Sequence, residues 1–124
     1  MKTLLLAFCV LLCTCVRAQE MHVVERETDE GYTFIVRGDR IDRTALNAAF
    51  ADIAETIVNP AFRGDWSTAD TTGIGYHMDT RDAFISIRYR GTEPAVIARA
   101  RAKAGTVREW LDLPAPPRPG TPTH

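Results

Sequence analysis

Short runs of alternating apolar and polar residues and two longer runs of helical spacing divide the chain between residues 21 and 113. Met21 to Glu27 reads as a strand, and Thr28-Asp29-Glu30-Gly31 supplies turn chemistry: an Asp that bonds its own backbone and a Gly that accepts unusual φ. Tyr32, Phe34 and Val36 then fall on one side of a second strand, so the pair predicts a hairpin. Asp42 is placed to cap a helix, and Leu46, Phe50, Ile53 and Ile57 follow at intervals of four, three and four residues. Arg43, Asn47, Asp52 and Glu55 fall on the rest of that wheel, and Asn59-Pro60 stops it. A polar segment over 60–72, containing Trp66, reads as a loop.

The pattern then begins again. Ile74, Tyr76 and Met78 alternate, Asp79-Thr80-Arg81-Asp82 turns the chain, and Ala83, Ile85, Ile87 and Tyr89 share a face. Ile97, Ala100, Ala104, Val107 and Leu111 mark a second helix over about 93–112, with Gly105 a weak point inside it. A shift of 51 residues lays Phe34 on Ile85, Val36 on Ile87 and Arg37 on Arg88. The expected architecture is an α+β two-layer sandwich of order ββαββα. Four mainly antiparallel strands form its sheet, and both helices cover one face.

Alternation also assigns the face left open. His22, Val24, Arg26, Thr33, Ile35, Arg37, His77, Phe84, Ser86, Arg88 and Arg90 should lie there. A fully solvated face would carry Thr, Lys and Glu throughout. Here Val24, Ile35 and Phe84 stand among arginines, the composition of an interface patch. Scattered apolar residues are also common on ordinary surfaces, so patch size decides between the two readings.

The ends of the chain add the compartment. Lys2, the apolar run Leu4–Val16 and Val16-Arg17-Ala18 read as a secretory signal peptide, cleaved after Ala18. The run is too short for a membrane span, which needs about 20 residues. A lipid anchor at Cys15 would require Leu12-Cys13-Thr14-Cys15 to act as an acylation box. Thr14 stands where Gly, Ala or Ser normally precedes the cysteine, and this favours plain cleavage. All three cysteines fall inside the removed segment, so the mature domain 19–113 has no disulfide, thiol nucleophile or thiolate metal site. Removing Lys2 and Arg17 leaves thirteen basic residues against sixteen acidic ones, a net charge of −3 that argues against nucleic acid as a partner. Residues 114–124 hold five prolines in eleven positions and read as a solvated tail. The expected setting is periplasmic or extracellular.

Candidate chemistry is sparse. In Arg88-Tyr89-Arg90-Gly91-Thr92-Glu93-Pro94, a strand gives way to a helix with Thr92 as cap and Pro94 in the first turn. A helix N-terminus with Arg88 and Arg90 beside it could seat an anion, although Glu93 brings negative charge to the same place. The segment resembles the phosphate-gripping loop of the C-terminal domain of phosphohexomutases, whose pattern is Arg-x-Ser-Gly-Thr-Glu-Pro. That resemblance spans seven residues, has Arg90 at the serine position, and implies Arg88, Gly91 and Thr92 as phosphate contacts. The same residues are fully accounted for as a plain strand-to-helix junction. Ser86 and His77 could form a nucleophile–base pair, but no nucleophile elbow surrounds them. His77 with Asp79 is too small a set for a metal, and no cofactor is expected. Trp66 is a candidate contact residue of the 60–72 loop. The functional expectation is a small exported binding or assembly module without catalysis. It would use the open sheet face, centred on Val24, Ile35, Arg37, Phe84 and Arg88, for a protein partner or a homodimer. The alternative is an anion or small-ligand site, or a minor enzyme, at Arg88, Arg90, Gly91 and Thr92.

Overall fold

The computed structural model describes residues 21–114; the expected signal peptide and all but the first residue of the proline-rich tail lie outside them. Strands β1 (Met21–Thr28) and β2 (Gly31–Gly38) form the expected hairpin, in a register that pairs Thr28 with Gly31. Thr28 Oγ1 accepts from the Glu30 amide at 3.2 Å inside the turn. Gly31 is required there: its φ is +154°, and an added Cβ would stand 2.0 Å from the Tyr89 carbonyl oxygen.

Helix α1 (Arg43–Ala54) starts as the sequence indicates, with Asp42 accepting from the Ala45 amide at 3.3 Å. It stops earlier than the stripe suggested. Glu55 takes a left-handed conformation (φ 54°) and its N–H closes on the Ala51 and Asp52 carbonyls. Ile57 therefore leaves the stripe and is 92% exposed, while Val58 is buried in its place. Asn47, expected on the polar side, is buried instead. Its Nδ2 donates to the carbonyls of Asn59, Pro60 and Phe62 at 3.4, 3.0 and 3.2 Å. The chain after α1 folds back along this flank, and its carbonyls need a donor once water is excluded.

The second half contains three strands: β3 (Asp65–Ala69), β4 (Gly75–Asp79) and β5 (Phe84–Arg90), followed by α2 (Pro94–Trp110). The fold is the expected α+β sandwich, but its sheet has five strands rather than four, in the antiparallel order β1-β2-β5-β4-β3. β3 lies within the segment read as a loop. It is an edge strand whose single bulky apolar residue, Trp66, gives alternation nothing to register, and its pairing with β4 decides its conformation.

Both helices pack on one face. Phe34, Val36, Met78, Ile85 and Ile87 from the strands meet Leu46, Phe50 and Ile53 of α1 and Ala100, Ala104 and Val107 of α2, all buried. The alanines are small enough to let α1 and α2 touch each other as well as the sheet. Ion pairs then tie α2 to its surroundings. Arg108 Nη2 donates to Glu25 Oε1 at 2.9 Å, and its guanidinium lies 5.2 Å above the Phe34 ring. Arg101 pairs with Glu27, and Arg99 reaches Glu55 at 2.9 Å and Asp70 at 3.4 Å. Among the described residues no helix is long and apolar enough to cross a membrane.

Candidate functional site

Because the pleat sends alternate residues to opposite sides, register determines which residues are neighbours on the face away from the helices. Four rows cross the sheet. The first runs His22–Arg37–Phe84–Asp79–Asp65, and the second Val24–Ile35–Ser86–His77–Ser67. The third runs Arg26–Thr33–Arg88–Gly75–Ala69 and the fourth, shorter, Thr28–Gly31–Arg90. Every residue that alternation assigned to the open face lies in these rows. β3 adds Asp65, Ser67 and Ala69, which sequence reasoning missed together with the strand itself.

The apolar residues gather where the first two rows meet. Val24 is 46% exposed, whereas Ile35 and Phe84 are half-buried. The Phe84 ring is held between an edge-on His77 at 5.1 Å and the Arg37 guanidinium at 5.2 Å. His77 Nε2 bonds to Asp65 Oδ1 across the β3–β4 pair. Next to them lies a shallow depression of about 410 Å³ bordered by Ser67, Gly75, His77, Phe84, Ser86 and Arg88. Ser86 is directly opposite His77 and is 3% exposed, but the imidazole Nε2 is engaged by Asp65 rather than by the serine.

Charge divides this face from the other one. On the helix side Arg99, Arg101 and Arg108 each have a carboxylate partner. On the open face Arg26, Arg37, Arg88 and Arg90 have none among the described residues. Asp79, the acidic neighbour of Phe84, is turned to its own hairpin and accepts from the Arg81 and Asp82 amides at 2.9 and 3.4 Å.

The strand-to-helix turn is arranged differently from the sequence expectation. Arg88 and Arg90 project on the open face, while the Gly91 amide donates to the Glu30 carbonyl at 3.0 Å. Gly91 sits against the Tyr89 side chain, where an added Cβ would stand 2.4 Å from the hydroxyl. The N-cap of α2 is Glu93, not Thr92, and it makes no side-chain capping bond; Pro94 opens the helix. The Val96 and Ile97 amides both turn to the Glu93 carbonyl, at 3.1 and 3.0 Å.

Trp66 belongs to strand β3 rather than to a loop, and it faces the helix side. Its ring lies 5.9 Å from Phe50 and 5.4 Å from Phe62. It closes the core at that edge of the sheet. His77 and Asp79 do share the open face, and no group of three or more His, Cys, Asp or Glu side chains gathers for a metal among the described residues. Comparison with family models, with curated proteins and with solved structures gives no match for this chain.

Proposed function

We propose that the protein is a small exported binding or assembly module of the cell envelope, and that it docks through the open face of its sheet. The observation that carries this reading is the combination on one surface of Val24, Ile35 and Phe84 with arginines that have no carboxylate partner among the described residues. Apart from the Arg37–Phe84 contact, the apolar carbon and the guanidinium groups on this face make little use of one another in the isolated fold. Both become favourable when a partner removes the apolar area from water and supplies acceptors for the fork of each arginine. The depression beside Ser86 is open and shallow, which suits a contact surface better than a site that must exclude water for chemistry. The anion reading at Arg88–Pro94 has weaker support, since the Gly91, Val96 and Ile97 amides are already spent on backbone carbonyls.

Site-specific cross-linking in the producing cell tests the proposal. A photo-reactive residue at Thr33, in the middle of the open face, should give adducts that Phe84→Glu abolishes. The same probe at Ala102, exposed on α2, should give none. Circular dichroism melts of Phe84→Glu should remain close to the parent, because the ring is only half-buried and packs on surface groups. Adducts of equal yield from both positions, or adducts at Thr33 indifferent to Phe84→Glu, would remove the open face as the docking surface.

A further inference from the structure

We infer that the partner of the open face is an acidic polypeptide segment in extended conformation, carrying carboxylates on alternate residues. This rests on the reading above and adds the chemistry of the occupant. Arg88 and Arg90 stand two residues apart on β5 and so repeat at about 7 Å along the strand, and Arg26 lies two strands away from Arg88 at about 10 Å. Alternate side chains of an extended peptide repeat at that same 7 Å. A segment laid along β5 would therefore set two carboxylates over Arg88 and Arg90, and alternate apolar side chains over Phe84 and Ile35. The acids close in sequence to the arginine end, Asp29 and Glu30 of the β1–β2 turn and Glu93 after β5, pair with none of these arginines. Guanidinium forks with no carboxylate among the described residues are matched by carboxylates in bidentate geometry.

Other occupants fit less well. A second copy laid face to face brings four arginines and two aspartates from each side, with Asp65 and Asp79 already engaged, so positive charge is left facing positive charge. Among residues 1–20 and 115–124 the only acid is Glu20, so these segments cannot supply the charge. Nucleic acid would meet a chain that is acidic outside this patch. A bilayer would ask for several protruding apolar side chains, whereas Val24 alone of the three is exposed and Ile35 and Phe84 are half-buried.

The test uses the full mature chain and three synthetic peptides that share a Leu-Ser-Leu-Ser-X-Ser-X core, with X as Glu, Gln or Lys. Binding is followed by fluorescence anisotropy. The Glu peptide should bind about tenfold more tightly than the Gln peptide at low salt, converging with it as salt rises, and the Lys peptide should be weakest. Arg88→Gln with Arg90→Gln should erase the Glu preference and leave the Gln peptide's affinity in place. Equal binding of the Glu and Gln peptides overturns the inference, and so does no binding of any peptide. If Phe84→Glu still lowers binding when Glu and Gln peptides bind equally, the docking face survives and only its acidic specificity falls. Stronger attachment to phosphatidylglycerol vesicles than to the Glu peptide, or saturation of the face by a dimer in light scattering, also overturns it.

Discussion

Replacing Asp70 by Asn should cost about 2 kcal/mol at neutral pH, and the loss should fade in acid. Asp70 follows β3 and organises the turn into β4. One carboxylate oxygen accepts from the Thr72 amide at 2.9 Å, the Ile74 amide at 3.1 Å and the Thr72 hydroxyl. The other accepts from the buried Tyr76 hydroxyl at 2.8 Å and from Arg99 Nε at 3.4 Å. Asn keeps an oxygen for the amides but turns an NH2 towards Tyr76 and Arg99. Losing a hydrogen bond from a buried hydroxyl to a charged acceptor costs about 1.5 kcal/mol. The exposed Arg99 pair adds about 0.5 kcal/mol. Burial alone would raise the Asp70 pKa, but the Thr72 and Tyr76 hydroxyls and the Ile74 and Thr72 amides more than reverse this and hold it well below the usual carboxylate range. A carboxyl with a depressed folded pKa gives stability that is fully present above the unfolded value of about 4 and is lost as pH falls towards the folded one. Urea unfolding of both proteins at pH 7 should therefore show the full difference, and the gap should narrow steadily below about pH 4. A gap of the same size at pH 7 and at pH 2.5, or no gap at pH 7, would refute the assignment of Asp70 as an ionised turn anchor.

Three further outcomes follow from the geometry. Gly31→Ala drives a methyl group to 2.0 Å from the Tyr89 carbonyl oxygen, so the β2–β5 pair must open; a loss of about 3 kcal/mol or failure to fold is expected in urea titration. Arg108→Met leaves Glu25, which is 21% exposed, without its cation. About 2 kcal/mol should be lost, and Glu25→Gln in the same chain should recover part of it, as a double-mutant cycle will show. Cell fractionation should recover the protein outside the cytoplasm with its amino terminus at Gln19; recovery in the cytoplasm alone, starting at Met1, would remove the signal peptide and the envelope setting with it.

Much of the fold is legible residue by residue because the relevant physics is local. The spacing of Leu46, Phe50 and Ile53 makes a helix with one apolar side whatever it packs against, and Asp42 caps it through contacts three residues away. The legible part ends where a residue's conformation depends on something distant. Ile57 keeps helical spacing, yet the helix closes at Glu55, where the chain turns back and Asn47 holds the carbonyls of Asn59, Pro60 and Phe62. β3 is invisible to alternation because an edge strand exposed on both faces, apart from Trp66, has no apolar set to display. The cap of α2 falls on Glu93 rather than Thr92, just beyond Gly91, whose amide is tied to the distant Glu30 carbonyl.

For the site, alternation by itself determined membership of the open face: side chains two residues apart point the same way in any strand, so Val24, Ile35, Phe84, Arg37 and Arg88 were assigned before any strand was paired. Neighbourhood was decided by tertiary structure alone. The order β1-β2-β5-β4-β3 sets Arg37 beside Phe84, Ser86 opposite His77, and Arg26 in one row with Arg88. The helix-side carboxylates Glu25, Glu27 and Glu55 are used up on Arg108, Arg101 and Arg99. Which charges are neutralised and which remain open is a property of distances between remote segments. Those distances exist only once the sheet has closed in its register.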